Sequence, residues 1–257
     1  MGDKNLNTKK LAAEKALENV RDGMILGLGT GSTAYWAIVG IGERVRKGLK
    51  VRAVATSLQS EALAREAGIE VLSLSDVDHI DLTIDGADEV DGNMNLIKGG
   101  GGALLREKIV AAATSYYIII VDDSKLVDCL GKFPLPVEVA PFGWEMTRRQ
   151  LGKLGCTTRL RMKADMPEAK TTADKVQPGA EPDRTKVTTD NAVFLTDNGH
   201  YILDCSFGSI ADPALLHSQV NAIVGVMDNG LFIGMADLVV VGNKDGSTKT
   251  IHRAAYQ

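Results

Sequence analysis

Short apolar runs alternate with helically spaced hydrophobics through the first half of this chain. The run "MILGL" at 24–28 predicts a buried strand, and after a glycine turn the spacing predicts a helix reaching about Lys47. "VRAVA" at 51–55 predicts a second strand, followed by a helix over "SLQSEALAREAG" that stops at Gly68. "IEVLSL" and "IDLTID" predict two more strands, and a helix over "ALLREKIVAAAT" leads into the strand "YYIIIVD". Strands that read as continuous apolar runs are covered on both faces, and strand–helix alternation implies parallel pairing. The expected fold is α/β, with an open, mostly parallel Rossmann-like sheet. Such sheets bind ligands beyond the carboxyl ends of their strands.

The pattern changes after about Gly131. "FPLPVEVAPFGW" carries three prolines and reads as an edge or crossover strand entering a new unit. A helix over 144–154, the runs "NAVFLT" and "GHYILDCS", a helix over 213–223 and "GLFIG" then suggest a β-α-β-β-α-β unit. That pattern predicts a smaller α+β, ferredoxin-like domain inserted before the C-terminal strand. "DLVVVG" at 237–242 has the texture of the first unit and is expected to rejoin its sheet. The expected division is a catalytic domain over 1–131 and 235–257, with the small domain over 132–234. Within the latter, 163–186 is polar and aperiodic, which predicts a long exposed loop.

Composition narrows the function classes. The chain has 257 residues, 44% hydrophobic and 24% charged, enough for a real core. Its net charge of −4 and the lack of any Lys/Arg block exclude an electrostatic footprint for nucleic acid. Cys129, Cys156 and Cys205 have neither zinc nor disulfide spacing, which favours a reducing compartment. The N-terminus lacks a signal-peptide core, and Leu6 stands where a myristoylation motif needs Ser or Thr. The longest apolar run, "YYIIIV", is far short of the ~20 residues that span a bilayer. A soluble, cytoplasmic protein with no membrane partner is expected.

Two features suggest chemistry. "GLGTGSTA" at 27–34 lies between a strand and a helix, where glycine amides and the helix dipole favour an anion. A dinucleotide fingerprint fails at Ser32, and the lysine of a nucleotide P-loop is missing. What remains is a loop with three hydroxyls, Thr30, Ser32 and Thr33, suited to one phosphate; a tight turn with a Ser/Thr helix cap explains it as well. The second feature is "TIDGADEVDG" at 83–92, four carboxylates in ten residues, followed by "KGGGGALLREK" at 98–108. Ala87 defeats the EF-hand template, and His79 is the only nearby histidine, so no metal site is expected. Asp85 closes an apolar strand at the ligand-binding end, and Asp88 follows on the same turn. Four glycines let another molecule approach the backbone. They lead into a helix on which Leu104 and Leu105 face inward, Arg106 faces solvent, and Glu107 is held anionic by the dipole. Glu107 is then a candidate general base and Lys98 a candidate oxyanion partner. Singly, each has a plain alternative: a surface glutamate, a solvated lysine, an Asx-turn pair of aspartates. Jointly, downstream of a phosphate loop on one sheet, they favour a site.

The strings "GLGTGSTA", "TIDGADEVDG", "LIKGGGGALLREKIVA", "VDDSKLV" and "GKFPLPVEVAPFGW", in that order and spacing, resemble ribose-5-phosphate isomerase of the A type. The resemblance implies interconversion of ribose 5-phosphate and ribulose 5-phosphate in the pentose phosphate pathway. It implies no metal or other cofactor, and a homodimer or homotetramer. Glu107 would shuttle a proton between carbons 1 and 2 through an enediolate, and Asp85 would assist ring opening. Asp88 would order the sugar hydroxyls, with Gly86 and Ala87 beside it. Lys98 and the amides of Gly99, Gly100 and Gly101 would steady the enediolate oxygen. Thr30, Gly31, Ser32 and Thr33 would hold the phosphate, with Lys9 adding charge and Lys125 lining the site. The departures fall in the small domain: an insertion of about two dozen polar residues, and His200 where the family usually has Asn. The wider superfamily includes sugar-phosphate deaminases and CoA transferases, and it leaves those activities and a non-catalytic sugar-phosphate sensor as the alternatives.

Overall fold

The computed structural model describes residues 7–166 and 192–253. Chain order gives strands β1 (Ile25–Leu28), β2 (Arg52–Ala55), β3 (Glu70–Val71), β4 (Ile80–Gly86), β5 (Glu89–Val90), β6 (Leu96–Ile97) and β7 (Thr114–Asp122). The later strands are β8 (Leu135–Val139), β9 (Thr157–Leu160), β10 (Tyr201–Ser206), β11 (Val226–Asn229), β12 (Leu231–Phe232), β13 (Leu238–Gly242) and β14 (Thr248–His252). The helices are α1 (Thr8–Ala16), α2 (Ala34–Arg46), α3 (Leu58–Glu66), α4 (Leu104–Ala112), α5 (Trp144–Gly152) and α6 (Pro213–Asn221).

Seven strands form one sheet in the order β14-β13-β7-β4-β1-β2-β3, parallel throughout except for the antiparallel edge strand β14. The apolar runs are explained by burial on both faces. Ile118 and Ile120 of β7 pack with Ala12, Ala16, Ile38 and Ile41 of α1 and α2, whereas Tyr117, Ile119 and Val121 face Leu96, Ala111 and Phe232. The structure is thus α/β with a mostly parallel central sheet, as the alternation predicts, and "DLVVVG" becomes β13 beside β7.

β8-α5-β9-β10-α6-β11 is the β-α-β-β-α-β unit, its four-stranded antiparallel sheet ordered β11-β8-β10-β9. Three expectations need correction inside it. The proline-rich strand is no edge: β8 is wholly buried between β10 and β11. Pro136 is tolerated because it lies past the end of the β11 pairing, where its carbonyl accepts from Gly230 N at 2.8 Å. The second strand is Thr157–Leu160, not "NAVFLT", whose Val193 makes only an isolated bridge to Met162. "GLFIG" supplies β12, which leaves this sheet for a third, β12-β6-β5. Of the expected 163–186 loop, Lys163–Asp165 is a 3-10 turn, and 167–186 lies outside the described residues.

One turn links these units near the site. Asp197 Oδ2 accepts from Leu58 N at the start of α3 at 2.8 Å, and Arg106 of α4 donates to Asn198 Oδ1 at 2.8 Å and to Asp197 O at 2.9 Å. Arg106 is therefore half-buried and bonded rather than facing solvent. His200 lies 2.8 Å by Nδ1 from Oε1 of the fully buried Glu138, which also accepts from Thr196 Oγ1 and Asn198 Nδ2. Among the described residues no helix is long and apolar enough to cross a membrane.

Candidate active site

The carboxyl ends of β1, β4 and β7 converge with the glycine run before α4, and a buried cluster of charge forms there. Asp85, at the end of β4, is fully buried. Its Oδ1 accepts from Gly86 N at 2.7 Å and Thr30 N at 3.2 Å; its Oδ2 accepts from Tyr117 Oη at 3.3 Å. Gly29 permits this: a Cβ there would lie 2.6 Å from the Asp85 Cα, a clash with backbone that cannot move aside. Burial, then the Asp85 charge, raises the Tyr117 pKa well above normal, so its phenol stays a donor.

Lys98 reaches the same point after β6. Its Nζ lies 3.0 Å from Asp85 Oδ2 and 3.4 Å from Glu107 Oε2, donates to Gly86 O, and stands 5.3 Å from the Phe232 ring centroid. Burial alone would lower the Lys98 pKa; the Asp85 and Glu107 carboxylates outweigh it and raise it above its ordinary value. The ammonium stays charged although it is buried.

Glu107 is 4% exposed on the inner face of α4, and among the described residues its Oε2 has no hydrogen-bond partner. Burial, then the Asp85 charge, pushes its pKa from an ordinary 4.5 up to about 8, against the pull of Lys98. The expectation of a dipole-held anion is thus corrected. Glu107 is the fourth residue of α4, with its own N–H bonded to Ala103 O at 2.9 Å, and the dipole's influence fades within the first turn. Desolvation wins.

Asp88 faces the glycine run, its Oδ2 accepting from Gly100 N at 2.8 Å. A Cβ on Gly100 would lie 2.7 Å from Asp88 Oδ1, so any larger residue there would have to push the Asp88 carboxylate aside. Burial raises the Asp88 pKa; the Gly100 N–H and the charges of Lys98, Lys125 and Arg161 oppose it. The other two carboxylates of the acidic motif are structural. Buried Glu89 accepts from Gly131 N at 2.7 Å and Phe133 N at 2.6 Å, and Asp91 closes a turn over Asn93 N and Asn95 N, both at 2.8 Å.

The hydroxyl loop adjoins this cluster. Gly31 and Ser32 are exposed, and Lys9 Nζ, from α1, donates to Ser32 Oγ at 2.7 Å. Thr33 occupies the N-cap position of α2 without a side-chain capping bond, so a helix cap does not account for it. Thr30 Oγ1 turns to a cluster the sequence reading missed, 2.8 Å from both Thr56 Oγ1 and Ser57 Oγ and 3.2 Å from Ser60 Oγ. The "TS" closing β2, at the ligand end of the sheet, was the available signal. Gly101 lies against Thr30, which brings the two glycine loops together, and Ala87 is partly buried in the core under β5. Lys125 stands in the 3-10 turn after β7, its charge acting on Asp88. Tyr117 and Arg161 were also missed; each lies in a stretch with no glycine or acidic motif to mark it.

Residues 52–246 match the family described as ribose 5-phosphate isomerase A (phosphoriboisomerase A). The chain is 50% identical over 245 residues to a ribose-5-phosphate isomerase A of Bacillus cereus, covering 95% of this chain and all of that one. It is 49% identical over 250 residues to its Rhodopseudomonas palustris counterpart, covering 96% and 97%. Among solved structures, ribose 5-phosphate isomerase A from Methanocaldococcus jannaschii superposes with a TM-score of 0.81 at 36% identity, over 95% of this chain and 98% of that one. A D-ribose-5-phosphate isomerase in complex with phospho-erythronic acid gives 0.84 at 38%, over 96% and 100%. With likeness of this extent in both sequence and fold, the chain belongs to the ribose 5-phosphate isomerase A family.

Proposed function

We propose that Glu107 is the base in an aldose–ketose isomerisation for which Lys98, Asp85 and Asp88 prepare the sugar. As a member of its family the chain is an isomerase that interconverts D-ribose 5-phosphate and D-ribulose 5-phosphate in the pentose phosphate pathway. The observation that carries the residue assignment is the buried Glu107 carboxylate, its Oε2 3.4 Å from an ammonium that also holds Asp85 and without a well-formed hydrogen bond among the described residues.

In the forward direction Asp85 takes the O1 proton and returns it to the ring oxygen O4 as the C1–O4 bond breaks, which opens the furanose to the aldehyde. Glu107 then removes the proton on C2, and the electrons of that bond form C1=C2 while O1 becomes the enediolate oxygen. Lys98 and the amides of Gly99 and Gly101 stabilise that oxygen, an electrostatic effect worth roughly 3 kcal/mol per well-placed donor; the Gly100 N–H, expected to join them, is instead taken by Asp88 Oδ2 at 2.8 Å. Glu107 returns its proton to C1, and the O2 proton passes to O1. Every electron stays in the sugar, so no external hydride carrier is required. A pKa near 8 makes the Glu107 carboxylate a stronger base than an ordinary one, at the cost of a smaller ionised fraction near neutrality.

The phosphate is assigned to the amides and hydroxyls of Gly31, Ser32 and Thr33, with Lys9 supplying positive charge from α1. Lys9→Met is expected to raise KM for ribose 5-phosphate about tenfold, as loss of one charge-assisted phosphate contact does, with kcat nearly unchanged; steady-state kinetics checks it. The free cysteines fit a cytoplasmic enzyme, and self-association as a homodimer or homotetramer would cover Phe142 and Val224, 96% and 93% exposed. The decisive experiment follows ribulose formation spectrophotometrically in EDTA, wild type beside Glu107→Gln. Activity in the first and near-abolition in the second supports the reading; an inactive wild type or a fully active variant rejects it.

A further inference from the structure

Arg161 follows β9 in the small domain, yet its guanidinium reaches the backbone of the glycine run. The side chain is buried, and Nε and Nη2 donate to the two carboxylate oxygens of Asp204 on β10, the first at 3.1 Å. Nη1 is left to donate to Gly99 O at 2.7 Å, with Gly100 O at 3.4 Å. The planar fork lets one carboxylate fix the direction of the remaining donor.

The Gly99 carbonyl and the Gly100 N–H belong to a single peptide unit, and in a trans peptide they point in opposite directions. That N–H donates to Asp88 Oδ2 at 2.8 Å. One peptide therefore joins a guanidinium at its oxygen to a carboxylate at its nitrogen, and bonds in such a chain polarise one another. The next unit follows the same logic: with its Gly100 oxygen on the Arg161 side, the Gly101 N–H faces away from Arg161. Gly101 itself adjoins Thr30 of the hydroxyl loop.

We propose that Arg161, aimed by Asp204, is a positioning residue for the isomerisation: it fixes the peptide planes of the glycine run, so that the Gly100 N–H anchors Asp88 and the Gly101 N–H turns toward the sugar. The inference rests on the assignment of the Gly101 amide to the enediolate oxygen. It makes the small domain a working part of the site rather than an appendage.

The test compares Arg161→Lys, Arg161→Met and the double variant Arg161→Met/Asp204→Leu, reading kcat, KM and melting temperature. Each variant is expected to lose about 10²-fold in kcat, the effect of a ~1 Å misplacement of catalytic groups, with KM within about threefold. Arg161→Met leaves the buried Asp204 carboxylate with only the exposed Arg159 guanidinium, 3.9 Å away, and is expected to melt lower. The double variant removes both charges and is expected to regain the melting temperature without regaining kcat. That separation identifies positioning, because a purely structural ion pair would return both together. Wild-type kcat in the double variant or in Arg161→Lys overturns the proposal, as does a loss confined to KM. If wild type itself does not turn over ribose 5-phosphate, the parent reading falls with it; an active wild type beside an unimpaired double variant sinks the positioning role alone.

Discussion

Glu107→Gln is expected to lower kcat by about 10²- to 10⁴-fold, the contribution of a well-placed proton-transfer group, while leaving the fold intact. Glutamine matches the shape of the side chain and removes only its basicity. The wild-type pH profile carries a second signature. Only ionised Glu107 can accept the C2 proton, so kcat/KM should rise with pH through about 8, well above the usual carboxylate range. The apparent value belongs to the Glu107–Asp85–Lys98 cluster as a unit, because the three charges interact at 3.0–3.4 Å.

The same shift fixes the sign of a stability effect. Below an ordinary pKa of 4.5 Glu107 is protonated in both folded and unfolded chains, and it contributes no penalty. Between that value and about 8 the unfolded chain releases the proton while the folded one keeps it, so stability falls as pH rises. Gln has no proton to release. Melting temperatures of wild type and Glu107→Gln should therefore diverge progressively across that window, with the variant higher. A constant offset would mean that Glu107 is not held protonated by burial, and undiminished turnover would remove it from the mechanism.

Lys98→Met should damage both stability and turnover. The methionine fits beside the Phe232 ring, but it leaves the buried Asp85 carboxylate without its cation and removes the charge that opposes protonation of Glu107. Removing one partner of a buried ion pair costs about 3–5 kcal/mol, which for a chain of this size lowers Tm by roughly 10 °C. Loss of the charge opposite the enediolate oxygen lowers kcat by about 10²- to 10³-fold. The double variant Lys98→Met/Glu107→Gln separates the two effects: glutamine removes the cost of holding residue 107 protonated above the ordinary carboxylate pKa and restores part of the Tm, while turnover stays lost. Calorimetry and steady-state kinetics read the two independently. A Lys98→Met enzyme impaired only in KM contradicts the role given to the ammonium.

Much of the architecture is legible in the apolar runs because a parallel sheet covered on both faces needs them. Elements without such runs escape the reading. α1 packs on the sheet with Ala12, Ala13 and Ala16, small residues that leave no stripe of large hydrophobics. β9, "TTRL", has no fully buried residue and is too polar to register as apolar, whereas "NAVFLT" is apolar yet pairs only at Val193. The prolines of β8 argue for an edge, but Pro136 lies beyond the β11 pairing, inside the sheet and at no cost to it.

The site divides along the same line. By itself the sequence determined the fold class, the placement of Asp85 and Asp88 at a strand end, the glycine run, and the candidacy of Glu107 and Lys98. These are local matters: period, turn chemistry and the order of motifs along the chain. Only the tertiary structure decided that Lys98 lies between Asp85 and Glu107, that Glu89 and Asp91 are structural, that Lys9 crosses to Ser32, and that Arg161 grips the glycine run from another unit. Charge and burial depend on which distant segments meet, and the protonation of Glu107 was set by desolvation that no neighbour in sequence announces.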